Sequence, residues 1–175
     1  MIKGHPVKTV RQKRRGAAAI EFAFVALPFF ALLIGILEIG LLLLATALVE
    51  TATSDTSRLV RTGQAQIGEL EPQDVKAHFC ANLVVFNQGC DERTHIDIRV
   101  VSAFSGNIAP DPLANGEFDP DVLTYQPGVP GDFVLVRVWF EHPVLTPFMA
   151  QVLNRSKGQK TRLQSTLAFR NEPYL

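Results

Sequence analysis

The hydrophobic pattern is dominated by one long apolar stretch near the N-terminus. From Phe22 to Leu37 no side chain is charged and only Pro28 interrupts the apolar residues, and the run extends to Leu44 with Glu38 as its single acid. A helix needs about 20 apolar residues to cross the roughly 30 Å hydrocarbon layer of a bilayer. The 23 residues from Phe22 to Leu44 meet that length, so the pattern predicts a membrane-spanning helix.

Beyond the span, the same helix is predicted to continue outward as an amphipathic rod. The stretch from Ala45 to Gln64 has apolar positions at helical spacing, and Gly63 is the expected stop just after Arg61. The apolar side of this rod is predicted to consist of Leu48, Ala52, Thr56 and Leu59. The first helix should therefore have a membrane half and an outer half.

A second, shorter helix is predicted from Pro72 to Phe86. Proline suits the first turn of a helix, and the apolar residues of this segment recur at steps of four, four and three. They are Val75, Phe79, Leu83 and Phe86. Further along, Pro147 suits the start of an apolar helix within residues 143–154.

Three strands are predicted after the second helix. Thr94–Phe104 alternates apolar and polar residues, Asp132–Glu141 is almost uniformly apolar, and Thr161–Arg170 alternates again. In the first strand Ile96, Ile98 and Val100 should face the core, while His95, Asp97 and Arg99 should face water. With Asp132–Glu141 as the central strand, the expected fold is α+β, with a small antiparallel sheet backed by the first helix.

The charge distribution predicts the orientation in the membrane. Residues 1–16 carry six basic side chains and no acid, and the rest of the chain has a net charge of −6, although the whole is formally neutral. Basic flanks of spanning helices stay in the cytoplasm. We therefore expect a cytoplasmic leader (1–16), a spanning helix (17–44) and a periplasmic head (45–175) on a bacterial inner membrane. The basic run is short and without interleaved aromatics, so nucleic acid is not an expected partner.

Cys80 and Cys90 are the only cysteines. An even cysteine count outside the cytoplasm favours a disulfide. His78 lies near Cys80, but no second pair of ligands follows at the spacing of a zinc site, so no metal is expected.

The segment from Ser105 to Gly131 is a long loop rich in proline and glycine, which is commonly functional or mobile. Its acids are Asp111, Glu117, Asp119 and Asp121. Their spacing differs from that of a helix-loop-helix calcium site. Solvated turn acids are therefore the expectation, and calcium or a partner is the alternative left open.

Two acids flank or enter the apolar run. Glu21 lies at its start, where a headgroup position or the helix dipole makes a carboxylate tolerable. Glu38 is about 25 Å further along a helix, so it should approach the outer interface or point at a partner helix. Gly35 and Gly40 permit close approach of such a helix, although they lack the GxxxG spacing.

The residues from Gly16 to Glu21 have the form glycine, four residues, glutamate, between basic residues and an apolar helix. This resembles the processing site of type IV prepilins and pseudopilins. The longer string through Phe22, Pro28 and Glu38-Ile39-Gly40 is similar to the TadE-like proteins of tight-adherence (Flp) pilus systems.

The resemblance implies specific roles and a pilin-like fold. A prepilin peptidase would cut between Gly16 and Ala17, and Glu21 would pair with the free amine of a neighbouring subunit, next to Phe22. Pro28, Gly35, Glu38 and Gly40 would then pack within the membrane. An ordinary signal peptide ending at Ala45-Thr46-Ala47 fits less well, because its apolar region would be too long and contain an acid.

No catalytic motif, cofactor site or small-molecule substrate site is recognisable in the sequence. The chain is therefore expected to be a substrate of an enzyme and not an enzyme. The preferred interpretation is a minor pseudopilin that acts with other pilins and the pilus assembly machinery. The alternative is an uncleaved single-pass scaffold that recruits partners through its periplasmic head.

Overall fold

A computed structural model describes residues 10–102, 109–113, 118–144, 146 and 160–174, with side chains from Gly16 onward. The fold is α+β, as predicted, and its two compact units meet between Gly40 and Leu41. The helices of the described chain are α1 (Val10–Arg61), α2 (Gln64–Ile67), α3 (Pro72–Ala81) and α4 (Cys90–Arg93). The strands are β1 (Thr94–Val101), β2 (Phe133–Pro143) and β3 (Lys160–Arg170). The helix predicted within residues 143–154 lies mostly outside the described residues.

The first unit is the apolar part of α1. Its large side chains are exposed on all sides of the helix, from Phe22 at 71% and Phe24 at 79% to Leu37 at 61%. A helix that is apolar all round is either deeply buried or membrane-spanning. Among the described residues, α1 is the one helix whose length and composition allow it to cross a bilayer.

The second unit begins with the outer part of α1, which packs one side against the sheet. The prediction is confirmed for Ala52 and Thr56, which are buried, and wrong for Leu48 and Leu59, which are only half-buried at the edge of that side. The buried residues are Ala45, Val49, Ala52, Thr53, Thr56, Ser57 and Val60. Val49, Ala52 and Val60 of this stripe belong to the same hydrophobic core as the strand residues. The predicted end of the helix is confirmed at Arg61, where Gly63 adopts φ 79° and a Cβ would collide with the Tyr174 ring.

The three strands form an antiparallel sheet in the order β1-β2-β3, with the predicted central strand in the middle. Val136 pairs with Ile98 on one side and with Leu167 on the other. Alternate residues of β2 face the helices, because side chains alternate across a strand. The core residues of β2 are Val134, Val136, Val138 and Phe140.

The second helix is shorter than predicted. α3 ends at Ala81, and a 3-10 turn at Val84–Phe86 replaces its last predicted turn. Its start is well capped, because the Glu71 N–H donates to Asp74 Oδ2 at 3.0 Å beside Pro72. Val84 has φ 47°, which a right-handed helix does not allow. The predicted inward face is nevertheless present, since Val75, Phe79 and Leu83 are buried.

Cys80 and Cys90 form a disulfide that joins α3 to the start of α4, with a Cα–Cα distance of 5.8 Å. Cys90 is 1% exposed and belongs to the core. The cross-link closes a short loop, and such a loop constrains the unfolded chain.

We predict that Cys80→Ser with Cys90→Ser lowers the free energy of unfolding of the head by about 3 kcal/mol, because the unfolded chain regains loop entropy. Urea denaturation of the detergent-solubilised chain measures this change. Reducing agent should destabilise the wild type by a similar amount and leave the double variant unaffected. Equal stability of oxidised and reduced wild type would contradict the prediction.

Candidate processing and assembly site

The predicted cleavage segment lies inside α1. Gly16, Ala17 and Glu21 are all exposed, and a Cβ added at Gly16 would meet nothing within 4 Å. The backbone at Gly16 is helical, because α1 already begins at Val10. A peptidase that cut here would have to unwind the helix locally. Glycine, a poor helix former by about 1 kcal/mol relative to alanine, would make that unwinding easier.

Ala17 and Glu21 lie one turn apart on the helix. Four residues correspond to a rise of about 6 Å and a rotation of about 40° beyond a full turn. A cut after Gly16 would create an α-amine at Ala17 on nearly the same side of the helix as the Glu21 carboxylate. Phe22, the next residue, is 71% exposed and presents its ring to the surroundings. The Glu21 carboxylate therefore lies at the edge of an exposed apolar surface.

The other predicted membrane residues do not form one packing face. Pro28 lies inside α1 and lacks the N–H that would bond the Phe24 carbonyl. Gly35 and Gly40 both have open space around them, but five residues correspond to about 140° around the helix. The two glycines therefore point to different sides.

Glu38 is buried, with only 6% of its surface exposed. It also makes a polar or electrostatic interaction. Its carboxylate is thus shielded from solvent by other parts of the chain. The predicted position of Glu38 near the outer interface stays a prediction.

A buried ionic cluster lies on the opposite face of the sheet from the helices. Asp97 is 0% exposed and Arg137, its partner across the strands, is 8% exposed. Arg137 donates from Nε and a terminal nitrogen to Asp97 Oδ2 at 2.9 and 2.7 Å. Arg99 donates to both carboxylate oxygens at 2.8 and 2.6 Å. Arg99 therefore makes a bidentate pair, and charge-assisted hydrogen bonds of this kind are among the stronger ones in proteins.

The same cluster holds the long loop against the sheet. The Thr124 N–H donates to Asp97 Oδ1 at 2.9 Å. Arg99 donates to the Val122 carbonyl and Arg137 to the Pro110 carbonyl, both at 2.9 Å. Three charged side chains of β1 and β2 thereby fix two separate parts of the loop.

The polar face of β1 is therefore covered and not wet. His95 packs at 4.5 Å from the Phe118 ring, and Phe118 lies 5.7 Å from Trp139, which is 2% exposed. Burial lowers the pKa of His95, so its neutral form is favoured. The sequence signal for this arrangement was Arg137, a single charge in the middle of an apolar strand, which requires a buried partner.

Two acids of the loop, Asp111 and Asp119, accept backbone hydrogen bonds within turns. Asp111 Oδ1 accepts the Leu113 N–H and Asp119 Oδ1 accepts the Asp121 N–H, both at 3.0 Å. Glu117 lies outside the described residues. Within the described part of the chain, no three acidic, histidine or cysteine side chains are grouped as a metal site.

The ionic cluster makes the stability of the head depend on pH. Burial alone would raise the pKa of Asp97, but hydrogen bonds from Arg99, Thr124 and Arg137 outweigh it and hold the pKa below its usual value. A carboxylate with a depressed folded pKa contributes stability above its unfolded pKa of about 3.9, and loses it as the pH falls through the folded value.

We predict that Asp97→Asn costs about 3 to 5 kcal/mol at neutral pH, because Arg137 is left buried without its counter-charge. Urea denaturation from pH 7 down to pH 2 measures the difference from wild type, which should shrink below about pH 4. Asp91→Asn is the control, since that side chain is 81% exposed and pairs only with Lys76. A pH-independent difference would refute a role for the Asp97 charge.

Comparison with known proteins places the resemblance in α1. The family model described as TadE-like protein matches residues 16–58, about a quarter of the chain. The match begins at Gly16 and ends three residues before α1 does, so the head beyond it is not covered. Neither a curated protein nor a solved structure matches the chain. Over residues 16–58, this chain is similar to the TadE-like family.

Proposed function

We propose that this chain is a minor pilin-like component of the tight-adherence pilus system, cut after Gly16 by a prepilin peptidase. The carrying observation is that the TadE-like match begins at Gly16 and runs along one continuous helix. The apolar part of that helix is exposed on all sides. In this proposal the exposed surface packs against lipid and against the helices of other pilins in the assembly machinery.

The proposed orientation puts the leader in the cytoplasm and the head in the periplasm. The six basic residues of the leader favour the inner side of the membrane. The Cys80–Cys90 disulfide supports an oxidising compartment for the head. Both observations agree with a bacterial inner membrane and a single pass.

The second candidate is an uncleaved single-pass scaffold, and one observation favours it. Gly16 lies within helical backbone that already begins at Val10, so the cleavage site is not preformed. In that case α1 would anchor the chain with its leader attached, and the head alone would recruit partners.

We predict that the mature chain begins at Ala17, and that Gly16→Leu blocks processing, because a bulky side chain hinders access to a bond that is reached by unwinding the helix. Intact-mass spectrometry of the membrane-extracted protein measures the N-terminus. A peptidase-null strain should also retain the leader.

Gly40→Leu is the matched control for Gly16→Leu. Both glycines lie in α1 with no atom within 4 Å of an added Cβ, so neither substitution should disturb the fold. Processing of the Gly40 variant should equal that of wild type. An intact leader on the wild-type chain would favour the scaffold instead.

We predict that Glu21→Gln is processed like wild type but reduces pilus assembly at least about tenfold, because an α-amine placed in hydrocarbon without a carboxylate costs several kcal/mol. Counting surface pili by electron microscopy measures assembly. Glu50→Gln is the control, since Glu50 is an exposed acid of α1 beyond the apolar run. Normal piliation of the Glu21 variant would refute amine pairing.

A further inference from the structure

The head begins where the apolar run of α1 ends. Ala45 is 0% exposed and Val49 is 1% exposed, whereas Leu43 and Leu44 are 65% and 46% exposed. Within the second unit, the side of α1 that carries Ala45 and Val49 is covered, while Leu43 and Leu44 on its other sides stay exposed. The packed head is therefore next to the last exposed leucines.

The direction of the sheet shows which end of the head lies beside those leucines. The Glu172 N–H donates to the Arg61 carbonyl at 2.9 Å, and Leu167 and Phe169 line a cleft with Ser54 and Arg61. β3 thus runs back along α1 from its outer end. The strand is about 33 Å long at 3.3 Å per residue, and Leu41 to Arg61 rises about 30 Å.

The opposite end of the sheet therefore lies beside Leu41–Leu44. At this end Lys160 pairs with Pro143 and Thr161 with His142. The Phe86 ring lies 5.3 Å from the ring of His142. The loop between the two cysteines is consequently part of this end of the head, which we call the base.

The loop at the base exposes two valines on a rigid frame. Val84 and Val85 are 67% and 69% exposed, while Leu83 just before them is 0% exposed. The Cys80–Cys90 disulfide closes the loop. Arg93 ties it down by donating to the carbonyls of Phe86 and Gly89 at 3.0 and 3.1 Å.

Val84 also has φ 47°, a strained conformation for a β-branched residue. Strain of this kind persists only where the surrounding structure imposes it. Here the cross-linked loop turns two apolar side chains outward, and their exposure to water is unfavourable.

We propose that Val84 and Val85 contact the outer surface of the bilayer, as a second, shallow membrane contact besides α1. The occupant is lipid because the base is level with Leu43 and Leu44, the last exposed apolar residues of the spanning helix. Two valines entering the boundary between headgroups and acyl chains would recover the cost of their exposure. The contact restrains the tilt of the head relative to the bilayer surface. This inference rests on the membrane placement in the proposed function.

The test uses the photoreactive amino acid benzoylphenylalanine in the full chain, reconstituted into phosphatidylcholine vesicles. It replaces Val85 in one sample and Ile67 in a second. Ile67 is similarly exposed, at 63%, but follows Arg61 and Gly63 at the other end of the head. A third sample carries it at Phe24, within the proposed span. Mass spectrometry counts lipid adducts after illumination.

We expect about tenfold more lipid adduct at Val85 than at Ile67, because only the former would lie within about 5 to 10 Å of the acyl boundary. Equal labelling at Val85 and Ile67, with strong labelling at Phe24, would overturn the second contact but agree with a membrane-spanning α1. Protein adducts at Val85 would overturn it in favour of a protein partner. Absence of lipid adducts at Phe24 as well would overturn both the contact and the proposed membrane placement.

Both head variants are checked for folding by the intact Cys80–Cys90 disulfide in non-reducing mass spectrometry. A Val84 replacement provides a second measurement at the base, with the same expected ratio to Ile67. The contact is apolar, so raising the salt concentration should leave the adduct yield at Val85 unchanged.

Discussion

The structure depends on one helix that must satisfy two different environments along its length. From Phe22 to Leu44 the side chains are apolar except for the buried Glu38, and such a surface is more stable in hydrocarbon than in water. From Ala45 onward one stripe of residues is buried, and most exposed positions are polar. The head therefore packs next to the last exposed leucines, Leu43 and Leu44. This constraint determines where the sheet lies on the helix.

The sheet is stabilised differently on its two faces. The face toward α1 is held by burial of aliphatic residues such as Val136 and Ile98, which is non-directional. The other face carries Asp97, Arg99 and Arg137, whose charges have to be paired and hydrogen-bonded once they leave water. Because those groups also hold the carbonyls of Pro110 and Val122, the ionic cluster orders the loop as well as the strands. The loop thus acts as a cover for the sheet.

The processing segment combines chemical recognition with a conformational cost. Gly16 and Glu21 belong to the proposed processing site, and the backbone there is helical. Under the proposed function, cleavage would compete with helical order at Gly16. The apolar surface that follows is exposed, and covering it with lipid or with neighbouring helices would favour assembly of the proposed mature chain.

The sequence by itself determined the features that depend on local pattern. The length of the apolar run, the end of α1 at Arg61, the central position of β2 and the α+β class follow from hydrophobic period and turn residues. The Gly16-to-Glu21 spacing and the even cysteine count belong to the same group. Each of these is a property of a short stretch of chain.

Only the tertiary structure decided which residues are shielded from water. The alternation in β1 predicted that Asp97 would face water. In the structure the loop covers Asp97, and Arg137 of β2 pairs with its charge. The buried stripe of α1 is centred on Val49 and Val60 instead of Leu48 and Leu59, because the core formed with the strands lies on that side of the helix. Burial depends on what packs from elsewhere in the chain, and periodicity within one element does not contain that information.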